Sequence, residues 1–188
     1  MKKISLSSLF DKYSFPKDFL NMELKDLVRL HCIFGGLKFN DFIFEKLLDR
    51  ADLICDICNS RDFESLRNDY KLEIEYSSDS SYIGNLIIFS QLFIDERKIV
   101  IYIESLQEIY LFLYKFLFVQ ININDFFSIA KYHEICHYID LVILDSQIDF
   151  FEKYIEITVC IFLQKYFNLS FYPWLLDLSY LYDKYFCK

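Results

Sequence analysis

Only five residues in this 188-residue chain break regular backbone structure: Gly35, Gly36, Gly84, Pro16 and Pro173. Glycine and proline are the strongest local punctuators, so a chain this poor in them is built from long regular elements, mainly helices. Residues 1–70 read as helical. "PKDFLNMELKDLVRLHCIFGG" carries apolar residues at Leu20, Leu24, Leu27, Val28 and Leu30 and stops at Gly35-Gly36. A second helix is expected over 41–58 and a short third one in "SRDFESLRNDY", capped near Ser60. The period then changes. "KLEIEYS" (71–77) sets Leu72, Ile74 and Tyr76 against Lys71, Glu73 and Glu75, the alternation of a half-buried strand. "SSDSS" (77–81) reads as a loop, and 85–94 and 99–103 as two strands joined by a hairpin at "DERK". Helices return over 105–119, from an Asp125 cap to about Leu144, over 149–167 after a turn at "DSQID" (145–149), and after Pro173. The expectation is an α+β chain, mainly helical, with a small three-stranded antiparallel sheet in mid-chain. Its length predicts one domain over 1–188: a helical part (1–70), the sheet (71–104) and a second helical part (105–188).

Composition excludes several functions. The formal net charge is −8 and no basic cluster exceeds Lys2-Lys3 or Arg97-Lys98, which argues against nucleic acid, whose binding relies on neutralised phosphates. Three glycines cannot build a phosphate-cradling loop. The most apolar run, 109–121, is short for a bilayer and contains Lys115, so no membrane span is expected. "MKKISLSSLFDKYSF" lacks the apolar core of a secretory signal, which points to the cytoplasm, with six free cysteines. A hydrophobic content of 54% suggests an apolar surface available for self-association.

The chemistry concentrates in "AKYHEICHYID" (130–140), which holds two of the three histidines as His133-Glu134-Ile135-Cys136-His137. Helix positions i and i+4 share a face, so both imidazoles can reach one ion about 2.0–2.1 Å away. Glu134 points about 100° around the helix. There it is suited to take a proton from metal-bound water and pass it to a leaving amine. In a chain with three histidines this spacing arises by chance in roughly a few per thousand sequences. A catalytic zinc (Zn2+) needs a third protein ligand. His31 lies far away in the N-terminal helices and reads as a packed or surface side chain. Glu156, 19 residues after His137, is the better source, because it stands among Ile155, Ile157, Thr158 and Val159, where a buried carboxylate needs a partner. Glu152 sits near the helix start, where an acid is favoured by the dipole alone.

"HEICH" followed by Glu156 resembles the gluzincin zinc metallopeptidases. The order of small sheet, connecting helix, histidine helix and glutamate helix is similar to the compact ImmA/IrrE-like bacterial and phage metallopeptidases, over roughly residues 60–170. The resemblance implies a zincin-like fold and His133, His137 and Glu156 as ligands, with Glu134 as base. It also implies Cys160, four after Glu156, supporting a histidine ligand. The substrate would be a specific intracellular protein, such as a transcriptional regulator, bound as an added strand beside the histidine helix. Two positions depart from the pattern. Lys131 is charged where the family is not, and Cys160 stands where Asp, Asn or His is usual.

Two other readings compete: a non-catalytic interaction or regulatory module in the same fold, and a plain helical protein whose histidines lie far from Glu156. "CDIC" (55–58) has no second cysteine pair, so Cys55 and Cys58 read as small core residues, as does Cys136.

Overall fold

The computed structural model describes residues 6–83, 86–117, 121–144 and 149–187. Of the expected turn at 145–149, residues 145–148 lie outside them, and Asp149 opens the helix that follows. Five helices come first: α1 (Leu6–Lys12), α2 (Lys17–Leu20), α3 (Leu24–Phe34), α4 (Asp41–Asn59) and α5 (Phe63–Tyr70). The stretch from Pro16 to Gly36 is two helices rather than one, divided at Asn21–Glu23. Asn40 caps α4 by accepting from the Ile43 N–H. Asp62, not Ser60, caps α5, by accepting from the Ser65 N–H.

Five strands follow: β1 (Glu73–Ser77), β2 (Ser81–Ile83), β3 (Leu86–Ile88), β4 (Ser90–Phe93) and β5 (Lys98–Tyr102). The expected sheet differs in two ways. First, 85–94 is not one strand. It breaks at Phe89, so that β3 pairs with β2 in a separate ribbon and β4 pairs with β5. Second, the three-stranded sheet is mixed, not antiparallel. Its order is β1-β5-β4, with β1 parallel and β4 antiparallel to β5. The hairpin turn, with Arg97 in the left-handed region (φ 51), sets β4 on one side of β5. The chain reverses between β1 and β4 and again into β5, so β5 returns in the direction of β1 and takes it on its other side. As the central strand, β5 is covered throughout: Ile99, Val100 and Ile101 are all buried. That explains its unbroken apolar run. Of the predicted inward set of β1, Leu72 is buried but Tyr76 is exposed.

The rest is helical. α6 (Ile103–Phe112) continues into a π-helical turn, Leu113–Leu117. α7 (Ile123–Tyr138) continues into another, Ile139–Ile143. Its cap is Asn122, whose side chain accepts from the Asp125 N–H, so Asp125 is the first-turn acid rather than the cap. α8 (Asp149–Tyr166) and α9 (Trp174–Phe186) complete the chain. α8 packs against α3, α4 and α7, while α7 also covers β4 and β5. A continuous apolar cluster runs from Leu9 to Tyr180 and includes Cys32, Cys55, Cys58, Cys136 and Cys160. The described residues are an α+β structure dominated by helix. No helix among them is long and apolar enough to cross a membrane.

Candidate metal centre

The histidine helix is held on both sides. Ile135 of α7 enters the core opposite the histidines, while Phe126, Ile129 and Ala130 pack on the same face as His133 and His137. This turns His133 and His137 toward a cleft bounded by α7, α8, α9 and the strands β3 and β4, with a volume of about 700 Å³. Glu156 comes from α8, and α7 and α8 are packed together. His137 Nε2 lies 3.4 Å from Glu156 Oε1, and His133 Nε2 lies 3.7 Å from Glu156 Oε2. One donor atom from each residue falls within 4.8 Å of the other two. Two ligands about 2.0–2.1 Å from a tetrahedral ion stand roughly 3.4 Å apart. Two imidazoles and a carboxylate at these separations therefore fit a zinc ion after small side-chain adjustments. The set also matches the three-protein-ligand pattern that leaves one position for water.

Glu134 is buried beside this trio. Its Oε1 accepts a hydrogen bond from the Ser90 hydroxyl of β4 at 2.6 Å and lies 3.0 Å from His133 Nδ1. A His133 protonated at Nδ1 donates to Glu134 and leaves the Nε2 lone pair facing Glu156. A carboxylate on the far nitrogen is the usual way to orient a metal-binding imidazole.

These contacts govern the charges. Burial disfavours a charged His133, but hydrogen bonds and charge from Glu134 and Glu156 override it and raise the imidazole to about 10. Burial would raise Glu156 too, yet the His133 hydrogen bond and the charges of His137 and His133 bring it down to about 2. Glu156 remains 63% exposed because its carboxylate faces the open cleft, although helices surround it. Glu134 is likewise buried but held low by its bond to His133. Burial keeps His137 below the usual histidine range, only partly opposed by Glu156.

The two departures from the family pattern find physical places. Lys131 does not line the cleft. Its ammonium sits over the rings of Phe63, 5.3 Å away, and Tyr76, 5.8 Å away. Cys160 lies one turn beyond Glu156, buried, with its thiol pushed up by desolvation and set against the Tyr172 hydroxyl and the Trp174 backbone. Tyr172 in turn lies 3.1 Å from His31 Nδ1. His31 stacks on Trp174, with centroids 4.6 Å apart and planes within 6°, and burial lowers its imidazole to about 3. It is packed, but against the wall of the same cleft. All three histidines thus meet there, and His31 is not among the three clustered donors.

Sequence reasoning misses Ser90, Trp174 and Asp177. Nothing in a strand pattern marks Ser90 as a donor to Glu134. Asp177 carries a readable signal, a lone carboxylate between Leu176 and Leu178, the same argument that selects Glu156. It lines the cleft, and burial followed by the charge of Glu156 raises its carboxyl to about 7.

No protein-family model, curated protein or solved structure matches this chain.

Proposed function

We propose that the chain is a zinc-dependent metallopeptidase with a zincin-like fold, hydrolysing a peptide bond of a specific intracellular protein in the cytoplasm. The observation that carries this reading is the convergence of His133, His137 and Glu156 from two helices, with Glu134 fixed beside them. When bound, zinc supplies Lewis acidity and lowers the pKa of a coordinated water. Glu134 would serve as the general base and acid that moves a proton from the attacking water to the leaving amine. Ser90 and His133 both engage Oε1 of Glu134, which fixes the carboxylate beside the donor trio. The strand beside the site is β4, an edge of its sheet, so its free backbone groups can align an extended peptide. The cleft volume suits a short stretch of chain rather than a folded domain.

Metal analysis of the purified protein tests the reading. One zinc per chain is expected, lost in His137→Ala and kept in Glu134→Gln. Glu134→Gln should abolish cleavage of a peptide pool that the wild type cuts. Zinc well below one equivalent after replete growth, or unchanged in His137→Ala, would sink the metal site. Wild type and Glu134→Gln acting alike would favour a non-catalytic interaction module.

A further inference from the structure

Asp177 has no part in the proposed chemistry. Its helix, α9, supplies a wall of the cleft through Trp174, Leu176, Asp177 and Leu181. Among the described residues Asp177 forms no hydrogen bond or ion pair, and it feels the charges of Glu156 and His133 and borders the Cys160 thiol electrostatically. The other carboxylates facing the cleft have explanations. Glu134 is bonded to Ser90 and Glu156 belongs to the donor trio; Glu152 and Asp177 each stand in the first turn of a helix, but Glu152 is exposed whereas Asp177 is half-buried. Among the described residues, no lysine or arginine lines the cleft. The remaining walls are mostly apolar, including Phe89, Leu92 and Ile155. Half-buried among mostly apolar walls, the Asp177 carboxylate is in a place that disfavours its charge. An incoming cation removes that penalty and gains a charge-assisted hydrogen bond.

We propose that Asp177 determines substrate choice: the cleft takes a short apolar peptide segment bearing one cationic nitrogen, which pairs with Asp177. The nitrogen belongs either to a Lys or Arg side chain or to the peptide's amino terminus. This inference rests on the cleft being a peptide site, and it deepens the peptidase reading by naming its substrate class. Asp177 acts as a specificity residue and not as a base, because Glu134 already holds that place beside the donor trio.

Binding, rather than turnover, separates the two ideas. Zinc-loaded Glu134→Gln protein is titrated with peptide pools of the same apolar composition, containing either one Lys or Gln in its place. Each pool is prepared with a free and with an acetylated amino terminus. Pools that carry the recognised cation should bind at least about tenfold tighter than pools that lack it (Lys over Gln among acetylated pools, or free over acetylated amine among Gln pools), and the gap should shrink with added salt. Adding Asp177→Asn should erase the gap. Asp177→Glu should retain it, which guards against a variant that merely misfolds. Persistence of the preference after acetylation assigns the cation to the side chain. Tight binding by free-amine pools alone assigns it to the amino terminus. Equal binding of all pools, no binding of any pool, or a preference that survives Asp177→Asn overturns the proposal. Selective binding without Glu134-dependent cleavage overturns the peptidase reading and leaves this one standing. Unselective, Glu134-dependent cleavage does the reverse.

Discussion

His133 sits between two carboxylates, Glu134 at Nδ1 and Glu156 at Nε2. Without metal, that pair holds a proton on the imidazole up to about pH 10. A histidine whose folded value is raised contributes stability below its ordinary value of 6.5, and the contribution is lost as pH rises through about 10. Zinc needs the neutral ring, so binding must expel this proton. Zinc affinity is therefore expected to keep rising, about tenfold per pH unit, from pH 7 to pH 9, where an ordinary histidine would already have levelled off. Calorimetric titration in buffers of different ionisation heat at pH 8 should report close to one proton released per zinc. Zero release at pH 8 would show that His133 is already neutral and that the two carboxylates do not control it. His31 should take no part in this exchange, since burial keeps it neutral down to about pH 3.

At the scale of elements, period and composition carried the helices well. α4, α8 and α9 begin and end within a residue or so of where spacing and breakers place them. The caps at Asn122 and Asp62 were less legible, because several capping residues stand side by side in "QININD" and "NSRD" and only the backbone path chooses among them. Pairing was not legible at all. Alternation marks which face of a strand is buried but says nothing about its neighbour or direction, so the parallel β1–β5 pair and the break at Phe89 could not be read. The donor trio needed only helical spacing plus one misplaced carboxylate, and both are local signals. The partner of Glu134 was invisible because Ser90 is 44 residues away. The same break puts β4 at the cleft with a free edge. Phe89 O accepts from the Tyr102 N–H, so the hydrogen-bonded positions facing β5 are 89, 91 and 93. The Ser90 and Leu92 backbone groups point outward. Leu92→Pro should then preserve the β4–β5 ladder and zinc content but weaken peptide binding at least about tenfold, because one strand-addition donor is gone and the ring obstructs the edge. Unchanged peptide affinity in a folded Leu92→Pro protein would remove β4 from the binding surface.

Across the whole molecule, the N-terminal helices and the histidine helix are tied together by more than apolar packing. Leu9, Phe19, Leu47 and Ile54 share one core cluster with Ile135 and Phe162. Arg50 of α4 adds a polar tie. Its Nε lies 2.5 Å from Asp140 Oδ1, and its Nη2 donates to the backbone oxygens of Asp140 at 3.2 Å and Leu144 at 3.4 Å. Asp140 is fully buried and stands three residues after His137, in the π-helical turn where α7 widens. Carbonyls at a helix end lack intrahelical donors, and the guanidinium reaches those of Asp140, within the turn, and Leu144, just after it, along with the carboxylate. Arg50 thus holds the end of the histidine helix from the opposite part of the chain. Removing one member of a buried ion pair costs about 3–5 kcal/mol, because the remaining charge stays desolvated. Arg50→Met, which keeps the apolar stem, should lower the unfolding free energy in urea by about that amount. It should also weaken zinc binding, since the turn that follows His137 loses its anchor. The same comparison with excess zinc separates the two effects. Zinc stabilises whichever folded state binds it, so wild type should gain more than Arg50→Met at equal metal. An equal gain would make the pair a stability element only. A loss under about 1 kcal/mol would mean that Asp140 is satisfied without Arg50 and that this ion pair does not fasten residues 1–70 to the histidine helix.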